Sequence, residues 1–159
     1  MIKKKLKAMT HSNTTMQKEE LAQKVVDKMM ADDAFSQWLG IKIVEIEPGY
    51  AKLGMKVRDE MVNGFNVSHG GISFSLADSA LAFASNSYGR VAVAMENNIS
   101  FIKKVMTGDT LTAETEELSI GRRIGVYNIS ITNQKNEQVA LFRGTVFRTQ
   151  NYHFEEISN

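Results

Sequence analysis

The sequence predicts a single α+β domain in which an antiparallel sheet wraps a long central helix, and three observations point there. Residues 70–84 are apolar on nearly every side, the pattern of a helix covered all round. Residues 50–58 place Ala51, Leu53, Met55 and Val57 in alternation with Lys52, Gly54, Lys56 and Arg58, the period of a strand with one buried face. Four further β-type segments follow the apolar run, with none of the βαβ rhythm of a parallel sheet.

In order along the chain, residues 18–31 repeat apolar side chains at helical spacing, Leu21, Val25 and Met29 beside Ala22, Val26 and Met30, and form an amphipathic helix. A short helix carries Phe35, Trp38 and Leu39, with Asp32 or Asp33 as its N-cap and Gly40 ending it. Pro48-Gly49, with the only proline of the chain, turns residues 41–47 back on residues 50–58 as a hairpin. After the central helix come segments 91–102, 110–118, 124–132 and 139–149, separated by turn-forming residues and read as a four-stranded antiparallel meander. The first residues, Met1-Ile2-Lys3-Lys4-Lys5-Leu6-Lys7, have the charge of a signal peptide but no apolar stretch after them, and read as a frayed tail. The expected organisation is therefore tail and helix over 1–32, one domain over 33–150 and a C-terminal tail over 151–159.

Composition removes several functions. Net charge is +1, too little to draw the chain to nucleic acid or an anionic membrane. The apolar run at 70–84 contains Asp78 and falls short of the ~20 residues a membrane span needs. Cysteine is absent, which excludes disulfides, thiolate catalysis and Cys-bound metal; the expected location is the cytoplasm. His11, His69 and His153 are far apart and form no H-x-x-x-H pair, so no metal site is expected.

Chemistry gathers on the central helix. His69-Gly70-Gly71 leads a loop into its first turn, where paired glycines let a ligand approach N–H groups without intrahelical partners at the positive end of the helix dipole. Asp78 is the only acidic residue between Met61 and Met95, and Leu76, Ala77, Ala80 and Leu81 surround it. A buried carboxylate needs a partner, either Ser75, Ser79 or backbone in a structural role, or a substrate in a functional one. Gly71 and Asp78 are seven residues apart, on nearly one helix face but ~10.5 Å apart along the axis. One reacting carbonyl cannot reach both an oxyanion donor and a base across that gap. A second copy presenting its helix in the opposite direction closes it, and also covers the side of the helix that one sheet leaves open. The expected protein is a homodimeric enzyme with a site shared between subunits.

These residues resemble the hotdog fold and, within it, the phenylacetate-degradation type of acyl-CoA thioesterase. The resemblance runs through Asn63-Gly64, His69-Gly70-Gly71, Phe74-Ser75-Leu76-Ala77-Asp78-Ser79-Ala80, Asn86-Ser87 and Ala140-Leu141-Phe142-Arg143-Gly144, over about residues 35–148. It implies hydrolysis of an acyl-CoA substrate by water without a cofactor, coenzyme A being part of the substrate. Asp78 is then general base or nucleophile, the Gly70 N–H polarises the carbonyl, Asn63 positions water or carbonyl, and Ser79 matches a small hydroxyl residue near the carboxylate. His69 is expected to orient the loop. Dimers that pair into a homotetramer are also implied. Coenzyme A phosphates need cations or free N–H groups, for which Arg122, Arg123, Lys103 and Lys104 are candidates, while Gly71 is expected to bind substrate at the helix start. The chain departs from the pattern in its N-terminal extension, in Ser85, where cysteine is frequent, and in Met95-Glu96, where residues are often smaller. Phenylacetyl-CoA or hydroxyphenylacetyl-CoA is the first expectation and a medium-chain acyl-CoA the second. Rival readings are a dehydratase or hydratase using His69 with Asp78, a non-catalytic acyl-CoA-binding protein, and a serine hydrolase suggested by Gly71-Ile72-Ser73-Phe74-Ser75, which lacks the last glycine of a nucleophile elbow.

Overall fold

Helix α1 (Ile2–Asp32) and the short α2 (Ala34–Leu39) precede a hairpin of β1 (Lys42–Glu47) and β2 (Tyr50–Lys56); α3 (Gly70–Asn86) follows, then β3 (Arg90–Phe101), β4 (Thr110–Ile120), β5 (Ile124–Thr132) and β6 (Gln138–Tyr152). The computed structural model describes the backbone of residues 2–155 and the side chains of residues 17–155. All six strands form one antiparallel sheet in the order β1-β2-β4-β5-β6-β3. Every strand touches α3, so the sheet curls round the helix as the resemblance implies.

Local chemistry accounts for the boundaries. Asp33 caps α2 by accepting from the Ser36 N–H at 2.9 Å, and Gly40 closes it at φ 74°, a left-handed conformation that suits glycine. The Asn86-Ser87 pair fastens the far end of α3. Asn86 exchanges two hydrogen bonds with the backbone of Ala92 in β3, at 2.9 and 3.0 Å, while the Ser87 hydroxyl accepts from the Gly49 N–H at 2.7 Å. One helix end is thereby tied to both hairpin and sheet. Inside, Leu76, Ala77, Ala80 and Leu81 of α3 pack on Leu53, Met55, Leu111, Ile129 and Phe142, all buried.

Three expectations change. The meander covers only β4, β5 and β6, because β4 pairs with β2 and β3 lies beyond β6 at the sheet edge. This order surrounds α3 with strands from both halves of the chain, which a sequential meander would not do. Near the N-terminus the helix begins at Ile2 rather than at residue 18, so the expected frayed tail is helical; lysine, leucine, alanine and methionine there are all good helix formers. At the other end, residues 151 and 152 belong to β6 rather than to a tail, and residues 156–159 lie outside the described residues.

A bulge in β3 has consequences for the site. Ala94 stands opposite Val146 and Glu96 opposite Thr145, leaving Met95 as an extra residue. Side chains alternate faces along a strand, so the insertion reverses the parity. Before it, Ala92 faces the core; after it, Asn97, Ile99 and Phe101 turn toward α3.

Candidate active site

The N-terminal end of α3 is built from backbone. His69 takes the N-cap with extended backbone, φ −60° and ψ 134°, and its Nδ1 accepts from the Gly71 N–H at 2.9 Å. That bond satisfies one of the helix's unpaired donors and consumes the Gly71 N–H expected for substrate. The Gly70 N–H has no acceptor among the described residues. A cavity of about 450 Å³ opens there, lined by Gly70, Ser73, Phe101, Lys103 and Lys104 among others. A Cβ on Gly70 would stand 2.8 Å from Cζ of Phe101, so any larger residue there must move that exposed ring.

Asn63 organises the loop leading in. Its Oδ1 accepts from the Phe65 N–H at 2.9 Å, its own N–H donates to Val67 at 2.8 Å, and Asn66 adopts φ 56°. This is an Asx turn, which presets the approach to His69. Position here is local and readable; the carbonyl oxygen of the Asn63 amide is already engaged in the turn.

Asp78 lies half-buried two turns into α3, beside a separate cavity of about 220 Å³ walled by Leu81, Ala82, Ala92, Val93, Ala94 and Val146 with Ser85. Its partner is neither Ser75 nor Ser79. Asn97 of β3 donates from Nδ2 to Oδ1 of Asp78 at 2.7 Å. Burial pushes the Asp78 carboxyl above its ordinary range, and the Asn97 bond opposes the shift by favouring the charged form. Meanwhile the Asn97 Oδ1 is buried without a partner, an arrangement that costs about 1–3 kcal/mol.

Ser79 turns elsewhere: its hydroxyl meets Ser36 of α2 at 2.9 Å, and Ser36 in turn donates to Asp33 at 2.5 Å. It ties α2 to α3. The nucleophile-elbow reading also loses its geometry, because Ser73 is buried in the first turn of a helix and His69 Nδ1 is committed to capping.

Of the cationic candidates, Lys103 is held by Glu137 at 2.8 Å. Arg122 and Arg123 share a cavity of about 520 Å³ with Arg90 and Arg148. Arg90 spans the strand ends by donating to the backbone of Arg122 at 2.9 Å, Arg148 at 3.2 Å and Thr149, and Arg148 donates to Gly121 at 2.7 Å. Among the described residues no carboxylate pairs with these four arginines. Sequence reading found the arginine pair at the β4–β5 turn but missed Arg90 and Arg148, which tertiary packing brings to it. Asn97 was missed for the same reason.

The matching family model is that of the Thioesterase superfamily, over residues 65–140. An acyl-coenzyme A thioesterase, PaaI, of Escherichia coli K12 is 45% identical over 120 residues, 76% of this chain and 86% of that protein. The solved E. coli PaaI structure, from the phenylacetic acid degradation operon, superposes with a TM-score of 0.83, covering 84% of this chain and 97% of that one. A putative esterase of Archaeoglobus fulgidus is 41% identical over 135 residues, 85% of this chain and 88% of its own length. A hypothetical thioesterase of Streptococcus pneumoniae TIGR4, solved with coenzyme A, matches at 28% identity with a TM-score of 0.67 over 69% of this chain and 85% of that one. With a sheet curled round α3, a free Gly70 N–H at the helix start and an apolar-walled Asp78, the chain belongs to the hotdog-fold thioesterase superfamily, among its PaaI-type members.

Proposed function

We propose that the protein hydrolyses acyl-CoA thioesters to free acid and coenzyme A at a site completed by two copies of the chain. The observation that carries this reading is the division of the machinery on α3, with the unpaired Gly70 N–H on one cavity and the Asn97-bonded Asp78 on another. The Gly70 N–H, at the positive helix end, stabilises the oxyanion that forms when the thioester carbonyl is attacked. Asp78, its basicity raised by burial, draws the proton from the attacking water, or adds to the carbonyl itself to give an acyl–Asp78 anhydride that water then hydrolyses to the free acid; by either route the CoA thiolate leaves and is then protonated. Carboxylate, water and backbone N–H suffice, so the reaction calls for no cofactor.

Strand β3 supports the two-copy site. It is a sheet edge of 12 residues that exposes Val93 and Met95, the kind of edge that pairs with another strand. Pairing β3 with its two-fold copy sets the α3 helices antiparallel and brings Asp78 of one chain toward Gly70 of the other. A homodimer, and dimers of dimers, are the assemblies this reading proposes, acting in the cytoplasm.

For the acyl group we favour an aryl ester such as phenylacetyl-CoA or hydroxyphenylacetyl-CoA over a medium-chain acyl group. The cavity beside Asp78 measures about 220 Å³, and an apolar cavity of ~150 Å³ already holds benzene. We place the phosphates at Arg122, Arg123, Arg90 and Arg148; Arg90 lies four residues from Ala94 along β3, ~13 Å at the rise of a strand.

Thiol release from phenylacetyl-, hydroxyphenylacetyl- and straight-chain acyl-CoAs tests the reading. Asp78→Asn is expected to lower kcat by about 10²–10⁴ with KM little changed. Arg122→Ala with Arg123→Ala is expected to raise KM for CoA esters while sparing thioesters that lack the nucleotide. Undiminished turnover by Asp78→Asn would overturn the mechanism, and water addition without thiol release would make the protein a hydratase.

A further inference from the structure

We propose that Asn97 is a positioning residue for Asp78: the Met95 bulge turns its amide inward so that it fixes the orientation of the carboxylate and holds it in the charged form. The proposal rests on the reading of Asp78 as the reacting carboxylate and names the group that prepares it.

Three independent features converge on Asn97. Its Nδ2 lies 2.7 Å from Asp78 Oδ1, and that bond joins β3 to the middle of α3. The bulge selects it, because without Met95 as an extra residue the outward Glu96 and Asn98 would have the inward parity instead. Space is also kept for it. Asn97 stands opposite Gly144 of β6, where a Cβ would fall 3.1 Å from Asn97 Oδ1 and would overlap Leu81 Cδ2. A bulge, a glycine and a hydrogen bond thus serve one amide.

Chemistry fixes which way the amide points. Reversed, it would set its carbonyl oxygen against a carboxylate oxygen, a contact tolerable only if Asp78 carried a proton. As placed, it leaves Oδ1 buried and unmatched, so the fold accepts an unpaired acceptor in order to keep the donor on Asp78.

Among the described residues no other ionisable group competes for this role. Helix α3 contains no lysine, arginine, histidine or second acid; β3 and β6 face the Asp78 cavity with Ala92, Val93, Ala94 and Val146; Glu96 and Arg143 are exposed. Within one chain, burial raises the carboxyl and the Asn97 bond opposes it. Removing the donor leaves burial unopposed, so the ionisation midpoint must rise.

The test is a carboxyl ¹³C titration of Asp78 in the full-length protein and in Asn97→Leu and Asn97→Thr, with pH profiles of kcat/KM measured alongside. Asn97→Leu is expected to move the Asp78 midpoint up by about one pH unit, with Asn97→Thr, which keeps a hydroxyl donor, in between. The acid limb of kcat/KM should move with it, so that activity below the limb falls about tenfold while KM is preserved. Should Asn97→Leu fail to fold, Asn97→Val supplies a donor-free side chain at home in a strand. An unmoved Asp78 midpoint in a folded donor-free variant would overturn the proposal. The titration needs no turnover, so a protein that released no thiol would refute the thioesterase reading while the Asn97 result still stood.

Discussion

The two ends of the proposed reacting machinery on α3 are made by different means. At the N-terminus, His69, Gly70 and Gly71 are adjacent, and a cap, a free N–H and a tight turn arise from consecutive residues. At Asp78, the decisive neighbour is 19 residues away in sequence and arrives on an edge strand whose parity a bulge has reversed. In the first device the cap and the donor are local, and Phe101 of β3 closes over them. The second depends on the whole sheet being in register. In the proposed mechanism, oxyanion stabilisation would thus come from local backbone, and base preparation from long-range packing.

Breaking the local end should have a larger effect than removing the Asn97 amide. In Gly70→Ala the added Cβ meets the Phe101 ring, displacing the N–H from the carbonyl, and kcat is expected to fall by about 10²–10³. Pairing it with Phe101→Ala relieves the contact. If the double variant recovers activity in a thiol-release assay, displacement of the donor is the cause; if it does not, the ring itself matters to the substrate.

His69→Ala sharpens the contrast with a smaller effect. Losing the Nδ1 cap is expected to cost about 1 kcal/mol of stability, read as a fall of roughly 2–4 °C in Tm. Because Gly70 rather than His69 carries the donor to the carbonyl, kcat should drop less than tenfold. A loss as large as that of Asp78→Asn would make His69 a proton-transfer group and revive the hydratase reading.

What sequence made legible follows the same division. His69-Gly70-Gly71, the Asp33 and Gly40 caps of α2 and the Pro48-Gly49 turn are local, and each stands where its residues imply. Asp78 was conspicuous because an acid inside an apolar run needs a reason. Strand order was not legible: alternation locates strands but does not say which of them pair, so β3 was placed beside β4 instead of at the edge. Nor was Asn97, because alternation through 92–101 gives no sign that Met95 is an extra residue. Ser79 shows the converse, a residue adjacent to Asp78 in sequence whose hydroxyl faces α2.

The central claim is that a working site takes Gly70 from one chain and Asp78 from its partner. Co-expressing Asp78→Asn with Gly70→Ala under two different tags, and isolating the heterodimer through both, tests it directly. One of the two sites in that heterodimer carries both defects and the other carries neither, so about half of the wild-type activity should return. A heterodimer as inactive as its two parents would show that each chain uses its own Gly70 and Asp78, and the shared site would be wrong.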